Sequence, residues 1–323
     1  MPTDDSLSKQ QDDLKIVADT LSRKILHLRK RLAVEAGTGV LFQLEEDLKE
    51  AEEERDKLEV RIEDLGVSRV YNAMLNIDHF DHEICFRSST AEKRIAAFLI
   101  YGLPYYGHLW LLKRLLDLDP RPTKPRVIYF DFLNAHIRGE AAAMWSELGS
   151  GLGLLRLGTS PDKITERLRM QLETRSVMLV FKNVGATSEA KLQELLTDFW
   201  GPLAKAAQEA LVPESESTLL MFLVDNSGLV RKWNLPFEEA PTPAEATHHL
   251  VCLPPLGHFS SKELEPWLKQ WSRFFPLELI KNLNGTVQDI LQQSDNGIPE
   301  KVAIKICALC QCPYIGEDTW LRL

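Results

Sequence analysis

Cysteine is scarce in this chain, with five residues in 323 and no framework spacing. That excludes a disulfide-stapled scaffold and makes a reducing cytoplasm the expected compartment. No apolar run reaches the roughly 18 residues needed to cross a bilayer, so no membrane span is expected. The opening MPTDDSLSKQ lacks the basic flank and apolar core of a secretory signal. Basic charge is also in short supply: 38 Lys and Arg stand against 47 Asp and Glu, a net charge of -9. A nucleic-acid binder would normally carry the opposite balance, so none is expected as a partner. A Gly-x-Ser-x-Gly elbow is absent, and no Cys/His pairing suggests a nucleophile.

The most informative stretch is Ala96 to Leu118, AAFLIYGLPYYGHLWLLKRLLDL. It reads as an apolar strand, a turn bracketed by Gly102 and Gly107, then an amphipathic helix. A phosphate-binding P-loop has the same layout, but follows its second glycine with Lys and then Ser or Thr. Here His108 and Leu109 hold those places. Histidine is mostly neutral at pH 7, and leucine cannot coordinate Mg²⁺. Pro104 removes one backbone donor from the turn. The strand SVMLVF (Ser176–Phe181), which in a hydrolysing enzyme would end in a metal-holding acid, runs into Lys182 and Asn183 instead. Asp131 and Asp225 lie at other strand ends, where strand-terminating turns are the expected role.

Other apolar runs, Pro125–Asp131, Ser217–Asp225 and Leu250–Leu253, alternate with helical stretches. The alternation predicts an α/β domain over 93–253, a mostly parallel P-loop NTPase-like sheet with helices on both faces. Residues 226–248 read as a proline-bearing loop, and 254–323 as a C-terminal helical subdomain. Glu189–Leu211 reads as one long helix. Cys307, Cys310 and Cys312 are expected to be buried apolar residues. The nearest histidines, His248, His249 and His258, lie about fifty residues away without paired spacing, so no metal site is expected there or at His79 and His82.

Residues 1–66 differ from the rest. Leu14, Leu21, Leu28 and Leu32, then Leu41, Leu48 and Leu58, fall in two series with heptad spacing, separated by Gly37-Thr38-Gly39. This predicts an antiparallel helical hairpin, with 67–92 as a linker or docking segment. Lys9 to Glu35 carries seven bases and four acids, Glu45 to Asp64 eleven acids and four bases, so the two helices have opposite charge. The apolar seam is narrow enough for one partner helix to satisfy, which permits homo-oligomerisation without requiring it.

Two resemblances follow from these residues. FLIYGLPYYGHLWLLKRLL, with Gly102, Pro104, Gly107, Trp110, Leu111 and Arg114, resembles the degenerate P-loop of inactive STAND domains, bacterial relatives of the signal-transducing STAND NTPases. VMLVFKNV resembles that family's altered strand, and Gly297-Ile298-Pro299 resembles the Gly-x-Pro motif whose proline lies near the nucleotide base in active members. The likeness covers about Asn72 to Leu323. The hairpin segment LRKRLAVEAGTGVLFQLEEDLKEAE is similar to effector-associated coiled-coil modules of bacterial conflict systems. Together these imply a non-catalytic sensor or adaptor in defence or cell-death signalling. It would recruit a protein partner through the leucines of the hairpin. A vestigial nucleotide site is implied at Gly102, Pro104, Gly107, His108, Lys182, Asn183, Gly297 and Pro299. No cofactor is expected; the alternative is weak, Mg²⁺-independent ATP or ADP binding without hydrolysis.

Overall fold

The computed structural model describes residues 4–32, 38–77, 79–91, 93–118, 125–134, 141–154, 159–211, 216–238, 250–272 and 275–316. Gly37 and residues 239–249, which include His248 and His249, lie outside them. The chain forms two compact units. One comprises Met1–Ile77, Glu265–Thr286 and Ala303–Tyr314; the other comprises Asp78–Leu264, Val287–Val302 and Ile315–Leu323. The helical C-terminal region is therefore shared between the two units, rather than standing alone as a 254–323 subdomain.

The first unit is built on the hairpin of α1 (Asp4–Leu32) and α2 (Thr38–Met74). Ile25, Leu28, Leu44 and Ala51 form its buried seam, with Leu32 and Leu48 packed alongside. Arg29 reaches Glu52 at 2.6 Å. Gln11 Nε2 donates to the Ile62 carbonyl at 3.1 Å, which fixes the antiparallel register. α2 does not end at residue 66, the expected boundary of the hairpin. It runs eight residues further, to Met74. Glycine inside a helix costs about 1 kcal/mol. Burial of Val70, Tyr71, Ala73 and Met74 in the next two turns outweighs that cost. Gly66 is also useful where it stands, because a Cβ there would lie 3.3 Å from Gln11 Nε2. Tyr71 Oη donates to the Pro313 carbonyl at 3.2 Å, and Trp267 Nε1 donates to the Ala73 carbonyl at 2.6 Å.

The second unit opens with α3 (Phe80–Thr90) and holds a six-stranded sheet. Its strands are β1 (Ile95–Tyr101), β2 (Arg126–Asp131), β3 (Val177–Lys182), β4 (Leu219–Asp225), β5 (Phe237–Glu238) and β6 (Leu250–Cys252). The order is β2-β3-β4-β1-β6-β5 and every pairing is parallel. The short β5 falls within the stretch read as a loop. Crossovers are made by α4 (His108–Asp117), α5 (Ala141–Gly151), α6 (Pro161–Leu172), α7 (Glu189–Glu194) and α8 (Gly201–Ala210). Alternate residues of the apolar strands enter two separate cores. Leu99, Leu179, Phe181 and Met221 pack with residues of α5 to α8. Phe98, Ile100, Val180 and Phe222 pack with Phe86 and with Leu111, Leu112 and Leu115 of α4. Burial on both faces explains why these strands are continuously apolar rather than alternating. The stretch expected as one helix over Glu189–Leu211 is interrupted by a π-helical turn, Leu195–Trp200. Pro202 has no N–H to return to the preceding turn, and the wider turn accommodates that loss. After β6 the chain continues through α9 (Ser261–Gln270), α10 (Leu277–Lys281), α11 (Leu283–Gln293) and α12 (Pro299–Leu309).

Candidate functional site

β1 and β4 are neighbours whose onward connections leave toward opposite edges of the sheet. The crevice beyond their carboxyl ends is where parallel α/β sheets bind ligands. Tyr101 is in register with Asp225, and Gly102 N donates to the Asp225 carbonyl at 3.2 Å. The chain leaves β1 through a turn with positive φ at Tyr105 (73°) and Gly107 (77°). Gly107 is then the N-cap of α4. The Tyr105 carbonyl accepts from Glu300 N at 3.0 Å, so the turn is tied to the start of α12. The three aromatic residues at the turn have separate fates: Tyr106 and Trp110 are buried, whereas Tyr105 is 64% exposed.

His108, where a P-loop has lysine, is 3% exposed. A Cβ on Gly102 would lie 3.2 Å from its Nε2 and 2.9 Å from Leu256 Cβ, so glycine at 102 is what admits the imidazole. Burial pushes the His108 pKa down to about 4; Asp225 and the carbonyls of Gly102 and Asp225 pull weakly the other way. Nε2 makes no hydrogen bond of good geometry. At neutral pH the lysine position is therefore an uncharged ring.

The acids nearby are committed to the chain's own turns. Asp225 is fully buried. Its Oδ1 accepts from Ser227 N (3.0 Å) and Ser227 Oγ (2.6 Å), and its Oδ2 accepts from Val230 N (2.8 Å). Asp131 Oδ1 accepts from Leu133 N (2.9 Å) and Asn183 Nδ2 (2.7 Å), and Lys182 Nζ lies 3.5 Å from its Oδ2. Asn183, itself left-handed at φ 57°, accepts from Asn226 Nδ2 at 2.7 Å. A polar chain Asp131–Asn183–Asn226 thus runs across the ends of β2, β3 and β4.

A cavity of about 450 Å³ brings together Pro104, His108, Lys182 and Asn183 of the eight expected site residues, with Tyr105, Leu109, Val224, Asn226, Glu300 and Gly316. Gly102 and Gly107 shape its turn without lining it. Gly297 and Pro299 lie behind the turn. Gly297 O accepts from Phe259 N at 2.8 Å, and a Cβ on Gly107 would lie 3.5 Å from Pro299 Cβ. Pro299 lines a second cavity, of about 250 Å³, with Tyr106, His79, His82 and His258. His82 contacts the Pro254 carbonyl at 3.0 Å. Burial, with help from His82 and Arg114, depresses the His79 pKa to about 3. Arg114, part of the family-like motif, donates from Nε to Glu83 Oε1 at 2.7 Å, joining α4 to α3. Sequence reasoning missed Glu300 and Asn226 as cavity residues. The only signal for Glu300 was its place directly after Gly-x-Pro.

The seven hairpin leucines divide differently from the expectation. Leu21 and Leu28 are buried within the hairpin, and Leu32 and Leu48 pack against its seam. Leu14 and Leu58 are half-buried. The side chain of Leu41 lies outside the described residues. Leu28, Leu32 and Leu48 help hold α1 to α2. The outward apolar residues are others: Ile16, Val17, Leu26, Val40, Phe42 and Val60.

Residues 74–224 match the family model for inactive STAND domains. No curated protein matches the chain. Among solved structures, Cdc6p from Pyrobaculum aerophilum is 15% identical with a TM-score of 0.40, over 61% of this chain and 50% of that one. The ORC2 protein of Aeropyrum pernix, in ADPNP–ADP complexes, is 13% identical with a TM-score of 0.42, over 76% and 67%. Drosophila ORC bound to AT-rich DNA and Cdc6 is 12% identical with a TM-score of 0.43, over 76% and 40%. The chain thus spans about half the length of the Cdc6p it matches. These are distant likenesses, and the sheet's own strand order carries the fold. Over residues 74–224, a little under half of the chain, this protein is thus similar to inactive STAND domains.

Proposed function

We propose that this protein is a cytoplasmic adaptor or sensor without catalysis of its own. Its hairpin recruits a protein partner, or a second copy of the chain, in bacterial defence or programmed cell-death signalling. The signalling context rests on the resemblance of the hairpin and the core to conflict-system modules. The observation that carries the non-catalytic reading is the charge balance of the larger cavity. A nucleotide triphosphate brings about four negative charges, and phosphoryl transfer needs cations placed against them. The cavity offers a neutral His108, a Lys182 engaged by Asp131, and the carboxylate of Glu300. The outward residues Leu26 and Phe42 support a partner surface on the hairpin, 54% and 65% exposed.

A second reading, weak Mg²⁺-independent ATP or ADP binding, draws on the cavity volume and on the partial positive charge at the start of α4. Calorimetric titration with ATP and ADP, with and without Mg²⁺, separates the two. No binding heat at millimolar nucleotide is expected. Micromolar binding that disappears in Gly107→Trp would sink the adaptor reading in favour of the switch.

A further inference from the structure

The end of α12 carries a cysteine pair that the sequence spacing alone does not reveal. Cys312 N donates to the Cys307 carbonyl at 2.9 Å, Gln311 N donates to the Ala308 carbonyl at 3.2 Å, and Gln311 is left-handed at φ 55°. These are the paired hydrogen bonds of a Schellman C-cap, which brings the side chains three residues before the cap and two after it into contact. In most helices that contact is apolar. Here both members are cysteine, and both thiols are free. Cys307 is 1% exposed, whereas Cys312 is half-buried.

We propose that Cys307 and Cys312 are a two-cysteine oxidation site for hydroperoxides. Cys312 is the thiol oxidised first and Cys307 the one that resolves it into a disulfide. The Cys312 sulfur attacks the outer peroxide oxygen and the O–O bond breaks. The alcohol or water leaves with a proton, and the sulfur becomes a sulfenic acid. The Cys307 sulfur then attacks the Cys312 sulfur and the S–O bond breaks. Hydroxide leaves as water, taking the Cys307 proton. Two thiols lose two electrons and one hydroperoxide is reduced.

The local chemistry favours these roles. The Cys307 thiol donates a hydrogen bond to the Cys312 sulfur. That bond, ahead of burial, raises the Cys307 pKa, and it lowers the Cys312 pKa despite burial. Thiolate character and access decide which cysteine a peroxide meets. Cys310 is the natural control. Burial first, then Cys312, pushes its pKa up to about 12, and its place at the cap itself gives it no share of the motif's contact. The site has a structural readout within its unit. Tyr71 of α2 donates to Pro313, the residue after Cys312, and also hydrogen-bonds the Cys307 thiol. A Cys307–Cys312 disulfide removes that second partner at the foot of the hairpin.

The full chain is treated with stoichiometric hydrogen peroxide, remaining thiols are blocked, and the disulfide is reduced and labelled before peptide mass mapping. Label on Cys307 and Cys312, with Cys310 blocked, is the expected result. Cys310→Ser should oxidise like the wild type. Cys312→Ser, at a half-exposed position, cannot form this disulfide, and its remaining thiols should be consumed by peroxide at least tenfold more slowly than those of the wild type. Cys307→Ala should stop at a dimedone-reactive sulfenic acid on Cys312. A major disulfide through Cys310, or a Cys312→Ser chain that oxidises at the wild-type rate, overturns the proposal.

Discussion

At the scale of the residue, His108 is a buried polar side chain at the mouth of the crevice. The side chain still fills the space beside Gly102, yet its buried ring is neutral and its Nε2 is unsatisfied. Leaving a buried polar atom unpaired costs about 1–3 kcal/mol, so His108→Leu should match or exceed wild-type stability at pH 7. The pH dependence gives a sharper test. The folded pKa is about 4, below the ordinary 6.5, so the unfolded chain binds this proton first as pH falls. Stability is fully present above pH 6.5 and is lost between there and pH 4, by roughly 3 kcal/mol at about 1.4 kcal/mol per pH unit. His79 acts in the same direction, with its pKa near 3, and is present in both proteins. Urea unfolding at pH 7 and pH 5 should therefore show His108→Leu gaining on the wild type by roughly 2 kcal/mol at the lower pH. An unchanged gap would mean the ring is charged in the folded protein.

At the scale of the element, two features that look alike in sequence do different work. Gly66 sits inside α2 and is tolerated because the turns after it are buried. Gly297, in the turn before α12, is required. It has φ 96°, and a Cβ there would lie 2.0 Å from the Phe259 carbonyl oxygen. No side chain rearrangement relieves a clash with backbone, so Gly297→Ala should cost at least about 3 kcal/mol in chemical unfolding. The hairpin offers a second contrast. Leu28→Ala removes a buried seam residue and should cost about 2–4 kcal/mol. Arg29→Ala removes only a solvent-exposed ion pair with Glu52 and should cost less than about 1 kcal/mol. Thermal melts followed by circular dichroism distinguish them. Equal effects would mean that charge, not the seam, holds α1 to α2.

At the scale of the whole molecule, the charge balance bears on which partners the chain can take. A net charge of -9 leaves no basic excess to release counterions from a duplex. Fluorescence anisotropy with a mixed-sequence DNA duplex at 150 mM salt should show no binding tighter than about 10⁻⁴ M, the weak end of non-specific association. Salt-sensitive micromolar binding would instead reveal a local basic face strong enough to outweigh the global balance.

The sequence by itself determined the parallel α/β core, the hairpin and the presence of histidine rather than lysine after Gly107. Strand burial, heptad spacing and a missing side chain are local properties that residue order records directly. It also placed His108, Lys182 and Asn183 at one candidate site, because strand ends and helix starts in such a sheet converge at one edge. What only the tertiary structure decided are relations between distant segments. Lys182 is answered by Asp131, Glu300 enters the cavity from α12, and Leu28, Leu32 and Leu48 pack in the hairpin's own seam. α2 continues past a glycine because residues far along the chain bury its last turns. Hydrogen-bond partners and burial depend on which segments meet, and periodicity carries no information about that meeting. The pairing of Cys307 with Cys312 belongs to the same class: the residues were visible, but the helix cap that joins them was not.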